Sequence, residues 1–438
     1  MSVPQLSKRI PNQRWWRILP PVLIAYCIAN IDRSSLAFTI AGGMRESIGM
    51  TATMAGLAGG VYFVGNLILQ APGGHIAEKA SARNLLAICT AGWGIVSIIT
   101  GFVTVPWQLL TLRFLLGITE GATLPTLLTL LTHWFPSEER GRATATFMMG
   151  NALAFVLTGP LSGWIITAFG WRYVFFIQGA LSLLFLVIWL PLIEDHPQNA
   201  KFLSERERNY LVGKLELERQ SLSKAGGAPV SYWQLLSNTN LWKLIFIYFF
   251  IQLAVTALVL WLPTMIRMLT RSNMTVVGWL SSIPFLMAVP GLYFFGALAD
   301  RSGNRKLYTI VPVALFSVCF FLSTQTKSMI WVSYAFLVAV GFFQQGHIGA
   351  FWSIPPQMFP REVAVGARGL INGCGNLGGF FGPTLVGWAI GMFHSSDVGI
   401  YVLCCSLVVA CLITLTLPAS LTWKPGPLEE AKAKAVRT

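Results

Sequence analysis

Apolar runs of about twenty residues recur along almost the whole of this 438-residue chain, and nothing else in it limits the fold so sharply. A helix rises about 1.5 Å per residue, so ~20 residues cross a hydrocarbon layer of ~30 Å. Twelve such runs are read at 16–40, 52–74, 85–104, 106–134, 143–166, 171–193, 241–266, 275–298, 306–325, 329–357, 363–389 and 398–419. Only 11% of the residues are charged and 54% are hydrophobic, whereas soluble domains carry ~25% charged residues. The expected fold class is an all-α membrane protein with twelve transmembrane helices.

The net charge of +14 does not indicate a nucleic-acid partner, because the basic residues are sorted by side. Lys8, Arg9, Arg14 and Arg17 precede the first run, Lys79 and Arg83 follow the second, and Arg140 and Arg142 follow the fourth. The polar stretch at mid-chain, Arg301, Arg305, Lys306, Arg361, Arg368 and the C-terminal lysines including Lys424 and Lys432 fall on the same side. The other side holds Arg45, Arg172, Arg267, Arg271 and Lys327. The lysine and arginine excess marks the cytoplasmic face, so a multi-pass protein of the inner (plasma) membrane with both termini cytoplasmic is expected. The first apolar run is too long for a cleavable signal. Seven cysteines, all within apolar runs and without a CxxC, are read as packing, with no metal and no cofactor expected.

The chain repeats itself. Gly74, Glu78 and Arg83 return 222 residues later as Gly296, Asp300 and Arg305, each time just after an apolar run. Phe135-Pro136 is echoed by Phe359-Pro360, and Gly159-Pro160 by Gly382-Pro383. Two pseudo-symmetric six-helix bundles, 1–193 and 241–438, joined by a cytoplasmic loop at 194–240, are the expected domains. Parallel repeats of this kind put a substrate site near mid-membrane. In the loop, Leu203, Tyr210, Leu211 and Leu215 interleave with charges, which suggests short amphipathic helices lying along the membrane surface.

Several charges sit where a bilayer makes them costly. Asp32 and Arg33 lie mid-way along the first run, and Arg113 and Glu120 lie in the fourth. Each costs ~2.5–3.5 kcal/mol on insertion scales, so such groups face a bundle interior or a wet cavity, and a transport site is the default reading. Arg113 and Glu120 are seven apart and share a helix face, whereas the neighbours Asp32 and Arg33 point about 100° apart. Structural pairs tying helices together are the competing reading. Arginine suits an anion, since its planar fork holds a carboxylate by two charge-assisted hydrogen bonds.

The segment Gly296-x-x-x-Asp300-Arg301-x-Gly303-x-Arg305-Lys306 and its partial copy at 74–83 resemble the signature loop of the major facilitator superfamily. Further motifs resemble its anion:cation symporter branch: Ile31-Asp32-Arg33-Ser34, Gln70-Ala71-Pro72-Gly73-Gly74, Arg113-x-x-x-Gly117-x-x-Glu120-Gly121, Phe351-Trp352-x-x-Pro355 and Asn372-x-x-Gly375-Asn376. The resemblance implies a major facilitator fold that imports a small organic anion by proton symport through alternating access. It implies proton coupling at Asp32 and Glu120, with substrate binding by Arg33, Arg113, Asn66, Asn151, Trp352 and Asn372. It also implies gating by Glu78, Arg83, Asp300, Arg301 and Arg305. Asn66 stands where a tyrosine is usual in this branch and Asn151 where a sugar-acid member has glutamine, and both shorter side chains imply a roomier or differently contoured pocket.

His347 is an additional candidate for the substrate site, since histidine titrates near neutral pH, and an interhelical contact is its alternative. A monomer in the lipid bilayer, with proton and organic anion as its small partners, is expected. Two alternatives stay open. One is proton-antiport efflux, whose signature Gly159-Pro160-Leu-Ser-Gly163-Trp164 meets only in part. The other is a non-transporting membrane sensor.

Overall fold

The computed structural model describes residues 12–224, 236–359 and 361–418. Lys8, Arg9, Lys424 and Lys432, which entered the topology argument, and both chain termini lie outside the described residues. Among the described residues there is helix and no β-strand. The helices are α1 Gln13–Thr39, α2 Ala52–Lys79, α3 Ala82–Thr100, α4 Pro106–Gly121, α5 Thr123–Trp134, α6 Ser137–Phe169 and α7 Trp171–Leu192. A loop helix, α8 Glu205–Lys224, leads to α9 Thr239–Thr270, α10 Met274–Ser302 and α11 Arg305–Gln325. Then come α12 Ile330–Gln344, α13 Ile348–Trp352, α14 Pro355–Met358, α15 Arg361–Gly375, α16 Gly378–Phe393 and α17 Ser396–Leu415.

Nine segments among the described residues are long and apolar enough to cross a membrane: α2, α3, α4 with α5, α6, α7, α9, α10, α11 and α17. The other three expected spans differ for visible reasons. In α1 the pair Asp32 and Arg33 interrupts the apolar run. The tenth is broken into α12, α13 and α14, and the eleventh is split between α15 and α16.

The break between α4 and α5 at Ala122 follows from Pro125. Proline has no N–H to give the carbonyl four residues back, and its ring crowds that carbonyl, here of Gly121. Glu120 therefore stands at the end of a helix rather than inside one. Three glycines then let α2 and α4 touch backbone to backbone. A Cβ at Gly65 would strike the Phe114 carbonyl, one at Gly117 the Tyr62 carbonyl, and one at Gly121 the Asn66 carbonyl.

One compact unit joins the first seven helices and α8 to residues Val255–Leu286 and Gly379–Gly399. Within it α1 packs on α6, α2 on α4 and α3 on α7. In its core Trp93, Trp134, Trp189, Phe135 and Phe147 are fully buried. Leu203 and Leu211 join that cluster, so the apolar side of the loop segment turns onto protein, not onto the membrane surface as its pattern suggested. Elsewhere in the unit, the start of α10 lies against α6: Ser282 Oγ donates to the Val156 carbonyl at 2.8 Å and Phe155 stacks on Phe285 at 5.1 Å. The second unit gathers Met287–Gly378 with the beginning of α9 and the greater part of α17, and α11 packs on α12 inside it.

Candidate substrate and proton site

In the first unit the structure brings together five of the expected site residues. Asp32 and Arg33 diverge as their spacing on α1 requires. Asp32 is 1% exposed and accepts a bond from Ser97 Oγ of α3 at 2.6 Å through Oδ1. Arg33 turns the other way: its Nη2 donates to Asn30 Oδ1 at 2.8 Å, and its guanidinium lies 5.8 Å from the centre of the Tyr62 ring on α2. Arg113 is 2% exposed, lies 5.7 Å from the Phe175 ring centre, and feels the charges of both Asp32 and Glu120. Glu120 is 5% exposed and feels both arginines and Asp32.

This network is under-satisfied in a particular way. Asp32 Oδ2, Glu120 Oε1, and Nε and Nη2 of Arg113 are buried without a hydrogen-bond partner among the described residues. Two arginines and two carboxylates balance in charge, yet no salt bridge closes between them among the described residues. Leaving buried charges unpaired costs several kcal/mol, so a purely structural staple would be expected to close its bonds. An arginine with two free donor nitrogens beside carboxylates with free oxygens can take an anion and a proton.

Asn66, half-buried on α2, donates from Nδ2 to the Tyr62 hydroxyl at 3.3 Å, and Tyr62 donates to Glu120 Oε2 at 2.6 Å. Tyr62 and Ser97 are site residues that the sequence reading missed. Tyr62 stands one helical turn before Asn66, on the same face, and that spacing was the available signal. Asn151 is half-buried on α6, with Oδ1 unpaired among the described residues.

The second unit holds the remaining candidates. Trp352 packs edge-on against Tyr248 at 5.1 Å, and Tyr248 also stacks on Phe351 at 5.6 Å. Asn372 Oδ1 accepts from Asn376 Nδ2 at 3.3 Å, and Asn376 in turn accepts from Gln252 at 3.2 Å. His347 is 2% exposed, in the break between α12 and α13. Its Nδ1 and both amide atoms of Gln344 are unpaired among the described residues.

The gating candidates are exposed by comparison. Arg305 pairs with Asp300 at 2.6 Å, but Asp300 is 74% exposed, and a pair of that kind is worth ~0–1 kcal/mol. Arg301 and Glu78 are exposed. Arg83 donates a side-chain bond to the Leu190 carbonyl and lies 3.9 Å from Glu194. Asp195, which the sequence reading did not single out, caps the start of α3: it accepts from Ser81 Oγ at 2.6 Å and from the Arg83 amide at 2.8 Å. A carboxylate there also complements the positive end of the helix.

A bundle of spanning helices with charges buried inside it is the architecture of a secondary transporter, not of an enzyme. The chain belongs to the Major Facilitator Superfamily, whose family model matches residues 22–383 and 271–437. It is 31% identical, over 94% of its length and 95% of the relative's, to a protein of Agrobacterium vitis assigned as a tartrate transporter. It is 27% identical to the quinolone resistance transporter of Acinetobacter baumannii (93% and 94% covered). With the D-galactonate transporter of Escherichia coli O6:H1 it shares 25% identity (94% and 97% covered). Its fold matches the crystal structure of a bacterial homologue of the human lysosomal transporter Spinster, inward-facing and unoccupied, with TM-score 0.75 at 15% identity, covering 97% of this chain and all of that one. The relatives place the chain in the anion symporter branch of the superfamily.

Proposed function

We propose that this protein imports a small organic anion by proton symport through alternating access. The observation that carries the reading is the buried set of Asp32, Arg33, Arg113 and Glu120, in which, among the described residues, two donor nitrogens of Arg113 and one oxygen of each carboxylate have no partner. Arg113, with Arg33, holds the anion's carboxylate, and Asp32 and Glu120 take up protons. A carboxylate between a desolvating interior and a nearby arginine releases its proton when the anion leaves or the cavity wets. Names of relatives, tartrate and D-galactonate transporters, support a hydroxylated carboxylic acid as substrate. Trp352, Asn372 and His347, in the second unit, are proposed as further substrate-binding residues. In this reading the chain works as a monomer in the plasma membrane, its termini and the 194–240 loop are cytoplasmic, and its two halves 1–193 and 241–438 rock about the site.

A second reading, efflux by proton antiport, draws on the quinolone resistance relative. One experiment separates the two. Proteoliposomes with the purified chain are given tartrate, galactonate and other organic acids while external pH is followed. Symport alkalinises the outside when an acid is added and ceases in Glu120→Gln. A proton efflux that is driven by an inward drug gradient, with no response to any acid, supports antiport and overturns import.

A further inference from the structure

Tyr62 has more partners in the buried network than its residue type requires. A phenol has one proton to give, and its oxygen can accept as well. Asn66 Nδ2 points into that oxygen at 3.3 Å, which directs the phenol's own proton to Glu120 Oε2, 2.6 Å away. That length belongs to an O–H donating to an ionised oxygen, in a range of ~2.5–2.7 Å. The other Glu120 oxygen, Oε1, is buried and unpaired among the described residues. The Tyr62 ring lies beneath the Arg33 guanidinium at 5.8 Å, and the residue is 3% exposed.

We infer that Tyr62 is a positioning residue of the transport cycle: it reserves Oε2 of Glu120 and leaves Oε1 as the atom that takes up the transported proton. Its ring meanwhile holds Arg33 beside the same carboxylate. The inference rests on the proposed proton symport and deepens it. Loading is a proton transfer: the Oε1–H bond forms as an O–H bond of hydronium from the wetted cavity breaks and leaves water. The Tyr62 bond to Oε2 then weakens, because a neutral carboxyl is a poorer acceptor than a carboxylate. An anion that draws Arg33 off the ring removes a positive charge from Glu120's surroundings and favours the protonated form. Substrate and proton thereby bind together through one buried side chain.

The test compares Tyr62→Phe, which removes the hydroxyl and keeps the ring, with Tyr62→Leu, which removes both. Proton-driven uptake and proton-independent exchange of labelled acid are measured in proteoliposomes over pH 5 to 9, with Glu120→Gln alongside. In Tyr62→Phe the alkaline limb of proton-driven uptake is expected to move up by ~0.5–1 pH unit, since the ionised form loses a donor. Its KM in exchange should stay within about twofold, whereas Tyr62→Leu should raise that KM about tenfold through Arg33. If Glu120→Gln abolishes proton-driven uptake and Tyr62→Phe follows the wild-type pH profile, symport stands and the Tyr62 assignment falls. If Glu120→Gln still couples to protons, Asp32 carries them, symport stands and the Tyr62 assignment falls; if the unaltered chain moves acid without protons, the symport reading falls. Should Tyr62→Phe fail to fold, Asn66→Leu, which frees the phenol to rotate, must show the same alkaline shift, and an unshifted profile overturns the assignment.

Discussion

Arg113 makes the strongest residue-scale case. A lysine in its place keeps the charge but loses the fork, and the compact ammonium cannot hold a carboxylate by two parallel bonds. Arg113→Lys is expected to raise the KM for the transported acid by about tenfold or more, in uptake and in exchange alike, read from initial rates in proteoliposomes. An unchanged KM would remove Arg113 from the anion site. The four membrane charges were legible in the sequence because a charge inside an apolar run is an anomaly that asks for a cause. Ser97 was not legible, since a serine inside an apolar helix is ordinary, and Tyr62 offered only its spacing from Asn66; the fold shows that each touches a carboxylate. Asp195 escaped for the opposite reason: it lies in a polar loop, where acidic residues raise no question until α3 is seen to begin beside it.

At the scale of elements, α8 is the departure from expectation with most to teach. Its alternation of apolar and charged residues correctly marked an amphipathic helix, but periodicity cannot tell whether the apolar side meets lipid or protein. The deciding residue is Glu207, 0% exposed, which accepts from Arg14 Nη1 at 2.7 Å, while Arg14, 2% exposed, also binds Glu139 at 2.7 Å. These bonds pin α8 to the first turns of α1 and α6. Without Glu207 the buried Arg14 keeps Glu139, so the loss is smaller than the ~3–5 kcal/mol typical of a buried charge left with no partner. Glu207→Ala is therefore expected to lower the thermal unfolding midpoint in detergent clearly, and Glu138→Gln, whose pair with Lys214 is exposed, to leave it unchanged. Equal midpoints for the two variants would mean that α8 is not held by its buried charges.

The far end of α8 adds a pH dependence. Burial alone would raise the Glu218 carboxyl, but the Ser137 amide and Arg140 outweigh it and hold it below its ordinary value of 4.5. A folded-state value below the unfolded one contributes stability above pH ~4.5 that is lost as pH falls through the lowered value. Limited proteolysis at 205–224 should accordingly accelerate below pH ~4.5, and less so in Glu218→Gln, which has nothing to protonate.

For the molecule as a whole, the sequence repeat and the apolar runs made the fold legible, whereas the contacts that hold one conformation were hidden in glycines. Gly159, read from sequence as part of the internal repeat and of an incomplete antiporter motif, meets Gly278 backbone to backbone: a Cβ at either position would strike the other's carbonyl. Gly163 is placed likewise against Met274, and Gly387 against Ala52. Where these glycines meet, backbone touches backbone, and side chains such as Ser282 and Phe155 cross only beside them, so the seam suits the closing and parting that the proposed rocking requires. Gly278→Val would keep it from closing, and the transport cycle would stall with the seam parted. The expected outcome is at least a tenfold loss of uptake, together with faster maleimide labelling of Thr53→Cys in a cysteine-free background. Thr53 lies on this seam, its Oγ1 donating to the Gly387 carbonyl at 3.4 Å. Gly141→Val, at a position where a Cβ meets no atom within 4 Å, serves as the control and should alter neither. Labelling and uptake that stay at wild-type values in Gly278→Val would show that the seam is static packing, and alternating access would have to be sought in other contacts.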